Sequence, residues 1–427
     1  MDRQQILFPP EEISQDRLKK YEAFFKLLDF SSLELFPDVG RRPISRASIL
    51  RALIFKNLRG LPTLSDLVAE LSERPRLSFI LGFEPTKEIP SVERFSHFLK
   101  YTDNSLFQAI RESLVKRLIE CKVIKGNYLS LDSCPIKANV RENNLKTNVK
   151  DRFLKEKQPK NDPDCRLGVT IIFPYGKKKV SFFWGYRNHV INDTEVELPL
   201  IEATLPANIR GGSVAISQLR LLKDNFSLFP RAVMGDSEYD SASLIEVILN
   251  ELKAKPRIAK NPRGGASPIL KLSSSGVPIC IAGFEMVSRG IYWDRKQNRK
   301  RHKFVCPIRG SKKFAQEHPY CPWFHPQFVK GSGCYKNLRV DVDETIRQQI
   351  DYGSESFKKD YSRRTSTERI FSRLLSVSMQ EPTVKGLKAT GNLCTIAHIT
   401  VLAVAYFASF VKEQSKVRFV KSFLPNL

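Results

Sequence analysis

Between residue 11 and about residue 120, apolar positions return every three or four residues, as in Ile49, Leu50, Leu53, Ile54 and Leu58. That period belongs to helices with one buried face. Gly60 and Pro62 end this helix, a second short one is predicted from Leu64 to Leu71, and Pro90-Ser91 opens a third through Phe95, Phe98 and Leu99. Helix, break and helix suit a helix-turn-helix with Arg41, Arg42, Arg46, Arg51, Lys56 and Arg59 as its basic face. The same pattern also suits an ordinary helical bundle whose cations face water.

The texture changes at Tyr128. YLSLDS is short, apolar and alternating, which predicts a strand, and after the polar stretch 146–166 the runs GVTIIF and VSFFWGY flank the turn YGKKK as a hairpin. LPLIEATLP, the helical SVAISQLRLLKDN, the apolar RAVMGD, the helical SLIEVILNEL and the strand-like KPRIAK then alternate in βαβ fashion. This alternation predicts an α/β fold, a mixed sheet flanked by helices. From about 261 to 355 Gly, Pro, Ser, Cys and aromatic residues break the alternation, and that stretch reads as an insertion. FKKDYSRRTSTERIFSRLL returns to a basic helical pattern. The expected organisation is a helical region over 1–120 and an α/β region over 121–427 that carries the insertion.

Charge narrows the partners. With 70 Lys+Arg against 45 Asp+Glu the formal net charge is +25, an excess that repels itself unless a polyanion is near. Nucleic acid is the leading candidate, although ribosomal proteins, RNA enzymes and membrane-surface proteins share such a balance. The N-terminus MDRQQILFPPEE has no basic-then-apolar signal pattern, so a cytosolic protein with reduced thiols is expected, and its eight cysteines do not read as a disulfide framework. Residues 394–411 carry no formal charge and reach the length at which a membrane span must be considered. Thr395, His398, Thr400 and Ser409 interrupt the run, which reads as a buried core helix with no membrane partner.

Cleavage of phosphodiesters with magnesium needs carboxylates that hold hard cations, often two ions about 3.5–4 Å apart. Asp132 ends the apolar run YLSL, and Asp236 follows AVMG ahead of a predicted helix, so both are placed where a sheet delivers side chains to its edge. Each also has a plain reading: Asp132 as a turn residue before Pro135, and Asp236 as a helix N-cap in DSEYDS. In YSRRTSTERIFSRLL, Tyr361, Arg364, Glu368, Phe371 and Leu375 follow at steps of three or four, which on one helix puts them on one face.

Three motifs in this order resemble those of the DDE transposases of bacterial insertion sequences, in the group whose last acid lies in a Tyr-x2-Arg-x3-Glu-x6-Lys helix. LDSCPIKAN resembles the first-acid strand. GDSEYDS resembles the second-acid motif, with Tyr239 and Ser241 as companions of Asp236. YSRRTSTERIF resembles the third, with Tyr361, Arg364 and Glu368 on its named positions. RRPISRASILRALIFKNLRGLPTLSDLVAEL is similar to the helical N-terminal domain of such transposases, and WGYRNHVIND to the hairpin after the first acid, so the likeness spans nearly the whole chain. It departs at Leu375, where the signature has Lys, and that role falls to Arg373 or Lys385.

The resemblance implies a ribonuclease-H-like core in which Asp132, Asp236 and Glu368 are catalytic and bind two magnesium (or manganese) ions. It implies DNA contacts by Tyr361, Arg363, Arg364 and Arg373, binding to terminal inverted repeats and target DNA, and a homodimer or larger synaptic complex in the bacterial cytosol near the nucleoid. A ribonuclease-H-like nuclease without strand transfer, and an inactive DNA-binding derivative, are the rival readings. In the insertion, Cys280, Cys306, Cys321 and Cys334 are interleaved with His302, His318 and His325, the ligand types of structural zinc, but no Cys-x2-Cys pair is present. Buried cysteines acting as small core hydrophobes are the alternative. His189 stands beside the first-acid strand either as a site residue or as a core histidine.

Overall fold

The computed structural model describes residues 17–33, 44–172, 177–261, 271–341, 346–380 and 382–424. Arg41, Arg42 and the Tyr175-Gly176 part of the predicted hairpin turn lie outside the described residues. The chain divides into two compact units, one of residues 1–234 and 362–427, the other of residues 235–361. The separate unit is thus wider than the irregular 261–355 stretch.

In the first unit six helices precede the sheet: α1 Arg17–Leu27, α2 Arg46–Arg59, α3 Leu64–Glu73, α4 Pro75–Ile80, α5 Val92–Tyr101 and α6 Asn104–Glu120. Their ends follow capping chemistry. The Ser45 hydroxyl accepts from the Ser48 amide at the start of α2, and Gly60 ends it in the left-handed region at φ 65°. Thr63 and Asp66 form a capping box at the start of α3. Helix α2 is buried on nearly all sides, from Ala47 through Leu58 with the sole exception of half-exposed Arg51, and includes Lys56 and Asn57. It is a core helix of a bundle, so Lys56, expected on a basic surface face, is enclosed instead, and burial lowers its pKa.

The sheet of this unit is built around a long strand, β3 Lys179–Asp193, which pairs antiparallel with β1 Tyr128–Lys137, β2 Arg166–Ile172 and β4 Leu198–Pro206. The hairpin after the first-acid strand is therefore present. The pairings with β1 and β2 meet at Gly185, where a Cβ would stand 2.1 Å from the Ile136 carbonyl oxygen. Only glycine permits that approach. After helix α7 Gly211–Phe226 the chain returns as β5 Ala232–Gly235, the neighbour of β1 in the sheet.

The long C-terminal helix α14, Leu387–Phe410, is long and apolar enough to cross a membrane, yet most of it is buried inside this unit. It packs against α6, β4, α5 and α2. Its polar side chains are bonded inward: Asn392 donates to the carbonyls of Leu99 and Thr102, Thr395 donates to Glu202, and His398 Nε2 lies 3.0 Å from Asn188 Oδ1. Buried polar groups require such partners, and this set marks a core helix.

The second unit contains α8 Ala242–Glu246, β6 Lys255–Ile258, the short pair β7 Lys271–Leu272 and β8 Pro278–Ile279, and an antiparallel sheet of β9 Val287–Asp294, β10 Arg299–Val305 and β11 Tyr335–Arg339 in the order β11-β10-β9. Short helices α9 Pro307–Gly310, α10 Lys312–Glu317 and α11 Pro326–Val329 lie between β10 and β11, and α12 Glu355–Ser362 closes the unit's chain. Arg257 of β6 is buried and bonded to Asp351, Asp360 and Ser356, a cation that can be enclosed because two carboxylates meet it.

One predicted helix is divided in two. α12 ends at Ser362 and α13 spans Thr365–Leu374, with Arg363 and Arg364 forming a tight turn in which the Ser366 and Thr367 amides donate to their carbonyls. Each side has its own anchor. The Tyr361 ring stacks on Phe357 and packs against a buried cluster that includes Ala242, Ile245 and Ile350, whereas the Arg363 guanidinium lies 4.2 Å from the centre of the Tyr128 ring. Tyr361 and Glu368 therefore do not share one continuous helix face.

Candidate active site

Asp132 is in the middle of β1, which continues through it to Lys137, so it is neither at a strand end nor in a turn. The strand alternates, and the Asp132 side chain keeps 20 % exposure. Its Oδ1 accepts from the Ser133 amide at 2.8 Å, and Oδ2 accepts from Arg364 Nη1 at 3.3 Å. Two residues on, Cys134 is turned inward; burial, then the Asp132 charge, pushes its thiol up to about 12, so it stays neutral.

Arg364 joins the first and third acid motifs. Its Nη2 is 3.9 Å from Glu368 Oε1, while Nη1 holds Asp132, so one guanidinium faces both carboxylates. Glu368, on the first turn of α13, is 71 % exposed, and the opposite face of that helix buries Ser366, Thr367, Ile370 and Leu374. The period of 3.6 turns Glu368 out by turning these four in. Thr367 Oγ1 donates to Ser130 Oγ at 2.8 Å, which ties α13 to β1 two residues before Asp132. Two carboxylates turned to a single cation are the donor chemistry a hard divalent metal takes.

The structure places Asp236 at the start of the second unit, one residue past β5. Its Oδ1 accepts from the Glu238 amide at 2.8 Å, capping the short turn Ser237–Tyr239. Ser241 caps α8 in the same way, and Asp240 is buried in an ion pair with Arg347. Among the described residues no group of three or more His, Cys, Asp or Glu is placed to hold a metal ion.

The remaining expected contacts divide. Arg364 meets the acids, Arg363 covers the Tyr128 ring, and Tyr361 packs in the second unit. Arg373, proposed from sequence as a substitute for the missing Lys, is bound to Glu197 through both the carboxylate and the carbonyl. Leu375 follows α13 directly. His189 is buried opposite Ser133 with neither ring nitrogen bonded, and burial, then the Arg187 charge, brings its pKa down to about 4. It is a core histidine.

Sequence reasoning missed Arg187, whose Nη1 donates to Ser133 Oγ at 3.0 Å beside Asp132. Its position in the hairpin strand next to the first acid is the signal that could have found it. It missed Glu197 altogether, because a lone acid in a turn carries no motif.

The cysteines of the second unit pack as hydrophobes. Cys306 and Cys321 are buried together against Phe284, Phe314, Phe328 and Cys334. Burial, followed by the proximity of Cys306 and Cys280, pushes the Cys334 thiol up to about 12. Shared apolar packing accounts for the convergence that sequence suggested as zinc ligation.

No curated protein matches this chain. A solved structure described as the cryo-EM structure of piggyBac transposase synaptic complex with hairpin DNA is 14% identical, covers 99% of this chain and 84% of that one, and superposes with a TM-score of 0.36, too loose to define a shared fold. Residues 10–101, the region of the N-terminal helices, match a family model described as a transposase domain (DUF772).

Proposed function

We propose that the protein is a DDE-type transposase that binds the terminal inverted repeats of an insertion sequence and cuts and joins DNA at Asp132, Asp236 and Glu368. The observation that carries the reading is the bridge from Arg364 to Asp132 and Glu368, which draws together two acid motifs lying 232 residues apart when measured from Asp132 to Arg364. The antiparallel hairpin after β1 and the return of β5 beside it support a ribonuclease-H-like arrangement for the core. The match of residues 10–101 to a transposase domain supports the function from the other end of the chain.

In this reading the three carboxylates hold two magnesium or manganese ions, which when bound activate the attacking oxygen and stabilise the leaving one. Asp132 supplies its ligand from a rigid strand. Glu368 supplies its own from a helix fixed by Thr367 and by the buried face of α13. Arg364 keeps both acids ionised and oriented before the metal arrives, since an adjacent cation favours the charged carboxylate. Asp236 completes the set in the assembled site. Lys and Arg contacts with phosphates provide most of the affinity for inverted repeats and target DNA, in a dimer or larger synaptic complex in the cytosol.

Replacing each of Asp132, Asp236 and Glu368 singly with Ala tests this. Magnesium-dependent cleavage of a duplex carrying the element's ends should fall by at least about 10²-fold, the usual cost of removing one electrostatic element of an active site, while end binding persists. Activity that survives two of the three changes would refute the assignment. Cutting without joining of pre-cut ends to target DNA would favour the nuclease reading instead.

A further inference from the structure

The β3–β4 turn of the first unit carries Glu197, buried to 5 % exposure, with three arginines gathered on it. Arg369 Nε and Nη2 donate to Oε1 at 2.8 and 2.6 Å. Arg373 Nη1 donates to Oε2 at 3.1 Å and its Nη2 to the Glu197 carbonyl at 2.6 Å. Arg418 Nη1 stands 3.3 Å from Oε1, and its Nε and Nη2 donate to the carbonyls of Val196 and Glu195. Three guanidiniums thus share one carboxylate. Glu195, in the same turn, accepts instead from Asn127, and Glu368 stands beside Arg369 as its neighbour in the chain.

Burial alone would raise the Glu197 pKa, but the Arg369 hydrogen bond and the charges of Arg418, Arg373 and Arg369 together hold it below the ordinary value. The acid is therefore ionised and fully committed, and it cannot neutralise three cations. Arg373 is largely enclosed, whereas Arg369 and Arg418 are 58% and 42% exposed. A guanidinium has five N–H donors in a planar fork, and the Arg369 contacts given above leave Nη1 unused. If Glu197 served only to tie α13 to the turn, one arginine would suffice and the surplus charge would be costly. The surplus has a purpose if an external anion completes the cluster.

We propose that Arg369, Arg373 and Arg418, preset by Glu197, form a docking site for a DNA backbone phosphate next to Glu368. Glu197 holds the forks in place before binding, which reduces the ordering cost that flexible arginines otherwise bear. Charge-assisted bonds from such forks suit phosphate oxygens, and the contact is indifferent to base sequence. A phosphate held one residue from Glu368 would set the register of the DNA strand at the acids. The inference rests on the DNA-processing reading above, but it concerns binding and needs no catalysis to be tested.

The test uses the full chain and a fluorescein-labelled duplex of arbitrary sequence, with affinity measured by anisotropy across a salt series. For Arg369→Gln with Arg418→Gln, the slope of log K against log salt should fall by about 0.9 per phosphate lost, so by about one to two, and binding at low salt should weaken. Arg369→Gln alone changes only an exposed side chain, keeps the fold by circular dichroism, and should lose about one unit of slope. Unchanged slopes in both variants, with the parent binding the duplex, would overturn the docking site and leave the transposase reading standing. A parent protein that binds no duplex at any salt would overturn both.

Discussion

His189 illustrates what a residue does when packing encloses it. With both ring nitrogens unbonded and its pKa near 4, it is neutral in the folded protein, whereas in the unfolded chain it titrates near 6.5. Between those values the unfolded state binds the extra proton, so stability is full above about pH 6.5 and is lost as pH falls toward 4. The difference should reach about 3 kcal/mol. Urea melts at pH 7 and pH 4 should show that loss, and His189→Asn should lack this part of the pH slope. Equal slopes in parent and variant would show that the ring is protonated in the fold. The sequence offered His189 as either a site or a core residue, and only its register opposite Ser133 and its enclosure separate the two. Asp132 is the converse case: its placement was legible from YLSLDS, but its neighbour Arg364 lies far away in the chain.

At the scale of elements, the hydrophobic period located almost every helix and strand of the first unit, including both breaks around Gly60 and Pro90. It failed where continuity depended on anchors outside the helix itself. The run from Phe357 to Leu375 keeps a helical period throughout, yet it bends at Arg363 and Arg364 because Tyr361 and Arg363 are held by different partners. Periodicity reports which face is apolar and is silent on where a helix is interrupted by packing. Strand β3 carries a sharper dependence. A methyl group at Gly185 would meet the Ile136 backbone, which has no rotamer to move, so Gly185→Ala should lower stability by about 3 kcal/mol, at the upper end of ordinary overpacking. A denaturant midpoint equal to that of the parent would mean that β1 and β3 shift apart at little cost.

For the whole molecule, the formal charge of +25 foretold a polyanionic partner, but composition distributes that charge nowhere in particular. Much of it is engaged: Lys56 is buried in the helical bundle, Arg257 is enclosed by two acids, and Arg373 is bound to Glu197. The division at residues 234/235 and 361/362 likewise had no compositional sign, because RAVMGD and FKKDYS look continuous with their surroundings. The cysteines of the second unit make a prediction at this scale. Since they pack around Phe284, Phe314 and Phe328 with no three ligands placed for a metal, elemental analysis of the reduced protein should find no stoichiometric zinc. One zinc per chain would show that these thiols regroup around an ion.

The sequence by itself determined the elements that short-range chemistry controls: the capped helices, the alternating strands, the hairpin after the first acid, the three acid motifs and the basic balance. Local spacing is enough for these, since a cap, a period or a turn involves residues only a few positions apart. Only the tertiary structure decided which distant residues meet. It set Arg364 between Asp132 and Glu368, bound Thr367 to Ser130, enclosed His189, and gathered Arg369, Arg373 and Arg418 on Glu197. The physical reason is that each of these contacts joins elements brought together by burial of apolar surface, which has no direction along the chain and leaves no motif in it.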